Sequence, residues 1–525
     1  MIFNIKKKEL RTIIPLIILI VNIVIFSGCI EKQQNNDYQE EEIIRIGIYL
    51  PPNNNITLPS ITDFDNYSPQ IKYPSANIYD SLVEFDEKYK IIPSLAESWH
   101  NPDNFTWRFI LRNDIKFQNG YNFSAEDVKY TIEKMNNSRL LSIIEKIIII
   151  DNYTIDIITS KVEPTFLNCL TQLYIISKKY HIDTENFPPV GTGPYMFHNY
   201  SNGNSITLKK YNKYWKDDFI FDYATFRFYD NYEEKIDAFN LGDVDLIDEL
   251  NPADYDRFRQ LNDTAVVNVS YPNVYYISFD FKEYNKYWNE EVNPVSNVSV
   301  RRAIYYAINI TTIIEQTNNY TIVAPVSQLV NSNIVGCNPK IKRFEYNRSK
   351  ALQCMKEAGY EHGFEIELDF FNTTPINIVS SLIADNLKEI NISVKMDNLT
   401  YYELLQKILN HDSSFFIIGW QMESRDAMEI FNDVLSSVNI SKGYGEANLG
   451  YYSNAKIDNI TEKINNEVND KIRIPLMQEG FQIAYQDVAY IPIFELRSTY
   501  AFNNRISFTP RADTIIKLNS ISINS

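Results

Sequence analysis

At 525 residues the chain is long enough for two or three domains with separate cores. Its net charge of −17 sets it against nucleic acid and against bare anionic lipid, so neither is an expected partner of its surface.

The first element runs from Lys6, Lys7, Lys8 and Arg11 through apolar Ile13 to Ile25, broken only by Pro15 and Asn22, to Phe26-Ser27-Gly28-Cys29. This is the basic, apolar and small-residue order of a secretory signal. The apolar stretch falls short of the roughly 20 residues of a spanning helix. Residues 1–28 are therefore expected to be a cleaved signal peptide and Cys29 a lipid-attachment site; the alternative is an ordinary cysteine beside an uncleaved signal anchor. Stable attachment needs two acyl chains on the cysteine. Cleavage removes four basic groups and one acidic group, taking the charge from −17 to −20. Residues 29–42, rich in Gln, Asn and Glu, have little to bury and read as a flexible tether.

Ser124-x-x-Asp127 is a capping box that opens a helix with Val128, Ile132 and Met135 inward. Gly191-Thr192-Gly193-Pro194 superficially suggests a phosphate loop, but the proline removes a donor and breaks any following helix, so a tight turn is expected. Asp243, Asp245, Asp248 and Glu249 lack the spacing and glycine of a calcium loop and read as a solvated face. Ser299 is expected to cap a helix burying Ala303, Ile304, Ala307 and Ile308. Asn347 is expected to cap another, burying Ala351, Leu352, Met355 and Ala358, stopped by Gly359.

Phe364 to Phe370 then alternates apolar and acidic, as a strand with one wet face does. A helix over Ile378 to Ile390, a strand over Ile392 to Met396, a helix capped by Thr400-x-x-Glu403 and running to Leu409, and a buried strand over Phe415 to Trp420 follow. Such a β-α-β-α-β succession predicts a mostly parallel sheet covered on both faces. Ligands of such sheets bind beyond the carboxyl ends of the strands, where Trp420 lies.

No nucleophile elbow, metalloprotease helix, P-loop, dinucleotide fingerprint or C-x-x-C is present. His100, His181, His198, His362 and His411 show no metal-ligand spacing. Beyond Cys29, the odd remainder of Cys169, Cys337 and Cys354 permits at most one disulfide; Cys337 and Cys354 could close a loop, or all three could be free. Sequons such as Asn55, Asn104, Asn297 and Asn398 could carry glycans on an exported chain. Tyrosine is abundant, at 37 residues, with the pairs Tyr275-Tyr276, Tyr305-Tyr306, Tyr401-Tyr402 and Tyr451-Tyr452. Stiff rings with a polar tip suit either a ligand cleft or sheet-to-helix packing.

A set of segments resembles the extracellular solute-binding proteins of family 5, which serve ABC importers of peptides and nickel. Tyr79-Asp80-Ser81-Leu82-Val83, Pro93 to Trp99, Phe105 to Arg112, Ile115 to Gly120 and Ser124 to Val128 match in order. Val190 to Tyr195, Tyr211-x-x-Tyr214-Trp215, Val300 to Ile304, Ala358-Gly359-Tyr360, Gly419-Trp420 and Tyr490 to Ile493 complete the set.

The resemblance implies an α/β, two-lobed periplasmic-binding-protein-like fold with an additional subdomain inserted in the first lobe. Residues 43–72, 190–278 and 497–525 would form lobe one, 73–189 the inserted subdomain and 279–496 lobe two, closing on ligand as rigid bodies. It also implies that the Gly-Trp strand pairs its backbone with a peptide, and that Glu423, three residues after Trp420, holds the ligand's ammonium group. Gln421 and Met422 lie between them, Asp426 is the fallback carboxylate, and Tyr275, Tyr276 and Tyr402 are the aromatic candidates.

Oligopeptide is the leading ligand. A nickel chelate is the rival, with His411 as its one candidate ligand, and a cell-surface hydrolase or adhesion module is the alternative of another class. No enzyme activity and no cofactor are expected. The expected partners are ABC permease and ATPase subunits and the membrane lipid through Cys29, for a monomer held at the outer face of the cytoplasmic membrane.

Overall fold

Two long strands organise the molecule. Thr264–Phe279 and Ile491–Asn503, both rich in β-branched and aromatic residues, pair antiparallel along most of their lengths in this computed structural model. The structure describes residues 41–50, 69–134, 138–184, 188–201, 204–216, 219–289, 291–316 and 323–524. The expected signal peptide, the lipidation site Cys29 and the tether as far as residue 40 lie outside them.

The two strands are the middle of an 11-stranded mixed sheet. On one side follow Phe415–Gln421, Phe364–Phe371 and Ile392–Leu399; on the other follow Leu246–Asp248, Ile43–Tyr49, Tyr223–Tyr229, Ser205–Lys210 and Tyr195–Ser201. A separate four-stranded antiparallel sheet, in the order Ala96–His100, Thr106–Leu111, Thr154–Thr159 and Ile144–Asp151, lies within residues 73–189.

The β-α-β-α-β succession is found, but in a mixed sheet rather than the mostly parallel one expected, because the two long strands pair antiparallel with each other and with their neighbours. Phe364–Phe371 pairs in parallel with Ile392–Leu399 and with Phe415–Gln421. The sheet is covered on both faces, because Phe415 and Ile417 enter one apolar core while Phe416 and Ile418 enter another. The helix between the first two strands runs Thr374–Lys388, four residues earlier than expected, with Pro375 in its first turn where a missing N–H costs nothing. Further cores gather around Leu82, Phe109 and Phe166, and around Ile46, Phe226 and Tyr500.

Local signals are realised closely. Thr400 and Glu403 form a reciprocal capping box, Asn347 caps Arg348–Glu357, and Gly359 follows that helix at φ +82°. In the Ser124 box the Asp127 carboxylate accepts the Ser124 N–H at 3.0 Å. The Gly191–Gly193 segment is a turn: a Cβ on either glycine would collide with the Ile78 backbone.

Three expectations are corrected. The Val298–Ala307 helix is capped by the Asn297 carboxamide rather than by Ser299, since asparagine caps as well as serine and stands first in the chain. The acidic run is not a solvated face throughout: Asp245 and Asp248 are buried, the first accepting from Arg45 and Asn503, the second facing Lys235 and Tyr73. The Phe364–Phe371 strand has no wet face at Glu367 and Asp369, which are buried under Lys407. Among the described residues Cys169, Cys337 and Cys354 form no disulfide, and all three are half-buried. No helix among the described residues is long and apolar enough to cross a membrane.

Candidate functional site

The Phe415–Gln421 strand starts in the core and ends in the open. Phe415, Phe416 and Ile417 are fully buried, Gly419 and Trp420 half-buried, and Gln421 exposed. One edge pairs with the long strand, Gly419 opposite Tyr275 and Gln421 opposite Asn273. The other edge pairs only at Phe416, opposite Asp369. Among the described residues, then, no strand lies beside Gly419–Gln421 on that edge. Gly419 is required here: a Cβ would stand 2.9 Å from the Tyr275 ring.

Two buried acids shape the loop that follows. Glu429 accepts the Trp420 indole N–H at 3.2 Å, the Ser424 N–H at 2.9 Å and the Ser424 hydroxyl at 2.8 Å, and also the Glu423 N–H at 3.1 Å. Asp426 accepts from the Arg473 guanidinium at 2.8 Å and from the Met428 N–H at 2.9 Å. Burial pushes the Asp426 carboxyl up, and Arg473 opposes that shift. Held at both ends, the loop forces Arg425 to φ +60°, uncommon for a non-glycine residue. The Ser424 carbonyl accepts from the Asn168 amide at 2.7 Å, and Met422 donates its N–H to the Pro272 carbonyl at 2.9 Å.

The structure thus brings Trp420, Gln421, Met422, Glu423 and Tyr275 to one strand end. Gln421 donates to the Tyr271 hydroxyl at 2.9 Å, Met422 is buried, and Glu423 is exposed. Tyr276 alternates to the face opposite Tyr275, the face of Trp420, and packs on Tyr490 in the core there. Asp426 points inward to Arg473. Tyr402 is 71% exposed on the first turn of Tyr401–Leu409, and no hydrogen bond or ring contact joins it to the group.

Residues distant in sequence complete the surroundings. The Arg425 guanidinium faces the Tyr89 ring at 5.5 Å and donates to the Met422 carbonyl. Tyr89 in turn donates to the Ala512 carbonyl. Lys72, Arg425, Arg511 and Asp513 share a recess with ≈ 520 Å³ of free space, counting its open mouth. Across the loop a second recess, with ≈ 950 Å³ of free space, is lined by Lys161, Glu163, Ser424, Glu429 and Asp433. Nothing local in the sequence marks Lys72, Tyr89, Glu429, Arg473 or Arg511; the fold assembles them from segments hundreds of residues apart.

His411 offers little to a metal. Its Nδ1 is 2.9 Å from Asp280 and its Nε2 2.7 Å from the Lys282 ammonium. Among the described residues the one acid cluster of metal-binding size is Glu367, Asp369 and Asp397. Lys407 already bonds to all three.

Comparison with known proteins places this architecture. The family model of bacterial extracellular solute-binding proteins, family 5, matches residues 90–442. The heme-binding protein A of Haemophilus influenzae is 26% identical over 468 residues, covering 80% of this chain and 82% of its own length. The dipeptide-binding protein of Escherichia coli is 24% identical over 411 residues, covering 70% and 75%. The solved structure of MppA, a periplasmic murein tripeptide binding protein in its unliganded open form, superposes with a TM-score of 0.81 at 16% identity, covering 92% of this chain and 98% of its own. The chain belongs to the family 5 solute-binding proteins, the receptors of ABC importers.

Proposed function

We propose that the protein is a lipid-anchored receptor that captures short peptides outside the cytoplasmic membrane and passes them to the permease and ATPase subunits of an ABC importer. The observation that carries the peptide reading is the unpaired edge of Gly419–Gln421. An extended peptide laid there gains main-chain hydrogen bonds whatever its side chains, which gives affinity with broad tolerance. Glu423, exposed two residues beyond the strand, supplies the carboxylate that pairs with the peptide's ammonium group. Relatives named for dipeptide and tripeptide binding agree with this ligand class. Nickel is disfavoured by the engagement of both His411 ring nitrogens.

Thermal melting of the mature protein tests the reading. A pool of short peptides at about 100 times the dissociation constant stabilises by roughly 2.7 kcal/mol, a rise of a few degrees that Glu423→Gln reduces. A rise with nickel chelates alone moves the assignment to nickel uptake. The anchor is tested separately: Cys29→Ala transfers the protein from the membrane fraction to the soluble one, and retention in the membrane would favour an uncleaved signal anchor.

A further inference from the structure

We propose that Lys72 and Arg425 form a carboxylate-binding subsite, so that the ligand is held by an anionic group at one end as well as along its backbone. This rests on the receptor reading above.

The argument begins with charge pairing. Four cations line the recess, Lys72, Arg425, Arg511 and Lys517, with three acids, Asp80, Glu84 and Asp513. Arg511 is taken by Asp513 at 2.6 Å. Glu84 is taken by Lys517 at 2.5 Å and by Lys216 from outside the recess. Asp80 is filled by three neutral donors, Thr192, Tyr214 and Trp215, at 2.9–3.1 Å. Lys72 and Arg425 are left without a carboxylate in ion-pair range among the described residues. Among the described residues Lys72 donates only to the Asp513 carbonyl at 3.1 Å and the Thr514 hydroxyl at 3.5 Å. Arg425 donates to the Met422 carbonyl and lies over Tyr89, which leaves most of its five N–H groups for another acceptor.

A protein that holds two like charges together in a deep recess meets an unfavourable field there. Lys72 is set deep in the molecule yet still touched by solvent through the mouth of the recess. Burial lowers it to about 8, and Arg425 and Arg511 add to that effect against Asp513. An anion entering the recess relieves this. Arg425 stands two residues from Glu423 on the same loop, so an ammonium site and a carboxylate site would flank one short stretch of backbone.

The test compares peptides identical except for a free or amidated carboxyl terminus, with glutarate as a small probe, on mature wild type, Lys72→Met and Arg425→Met. In the wild type amidation weakens binding at least tenfold; in either variant the free and amidated peptides bind alike. Raising the pH from 7 to 9 discharges Lys72 and also the amino terminus that both peptides share, so the free acid weakens by more than the amide. Ligand-free Lys72→Met melts no lower than wild type, because a charge that burial disfavours has been removed, and this separates a binding role from a folding role. Glutarate stabilises the wild type and neither variant. If no peptide binds while glutarate behaves in this way, the subsite stands and the peptide reading falls. If amidation is without effect and glutarate does not stabilise, or if the variants keep the wild-type preference, the proposal is overturned.

Discussion

Gly419 and Arg473 carry the shape of the site for opposite reasons. At Gly419 the requirement is empty space, since the Tyr275 ring, clamped between Phe371 and Phe494, lies where a side chain would be. Gly419→Val is expected to cost about 1–3 kcal/mol through overpacking and to remove the peptide-induced rise in melting temperature. Adding Tyr275→Ala should restore part of the stability; a single variant as stable as wild type would mean that the ring moves aside freely. At Arg473 the requirement is charge, because the guanidinium is 1% exposed and supports the buried Asp426. Removing one partner of a buried pair leaves the other uncompensated, at about 3–5 kcal/mol. Arg473→Met should show that loss in urea unfolding, and Arg473→Met with Asp426→Asn should lose much less, the double-mutant cycle giving the coupling.

The Phe364–Phe371 strand shows how an element can follow its pattern and still break its expected environment. Its alternation of apolar and acidic residues is that of a half-wet strand, yet Asp369 is fully buried and accepts from Lys407 at 2.5 Å and from the Ser413 hydroxyl. Burial, the largest influence, raises the Asp369 carboxyl to about 6, with Lys407 and Ser413 opposing and Glu367 adding. A raised carboxyl binds more protons folded than unfolded between about pH 4 and 6, so its contribution to stability falls as pH rises through that window. Wild type should therefore lose stability relative to Asp369→Asn between pH 4 and 6 and run parallel to it above, in denaturant midpoints taken at half-unit steps. A difference that grows with pH would reverse the assignment. The order of strands and helices here was legible because caps and periodicity are local: Thr400 and Glu403 are three residues apart. The burial was not, because the neutralising lysine stands 38 residues downstream of Asp369 on another element. The same holds at the site. Gly419-Trp420 and Glu423 are adjacent in sequence and could be named from it, whereas Lys72, Arg425 and Arg511 meet only when the chain is folded.

Over the whole molecule the two long strands carry the middle of the large sheet and interrupt themselves. Their pairing lapses between Ser270 and Val274, at Tyr271-Pro272-Asn273, where the proline has no N–H to offer a ladder. Pairing on one side of this break involves residues 497–503 and on the other residues 491–495. The Pro272 carbonyl accepts the Met422 N–H, so the break in the sheet is tied directly to the loop that carries Glu423 and Arg425. A hinge at this point would couple occupancy of the loop to rotation of lobe two on lobe one, with Tyr271 and Pro272 absorbing the change in backbone angles. Small-angle scattering of the mature protein decides this. A chain of this size has a radius of gyration of about 23 Å when compact, and saturating peptide should reduce the measured ligand-free value, with Glu423→Gln needing more peptide to reach the same end point. An unchanged radius at saturation, with peptide binding shown by melting, would mean that the receptor is rigid and that the lapse in pairing only accommodates the proline. An unchanged radius with no binding would refute peptide as the ligand and leave the family assignment standing.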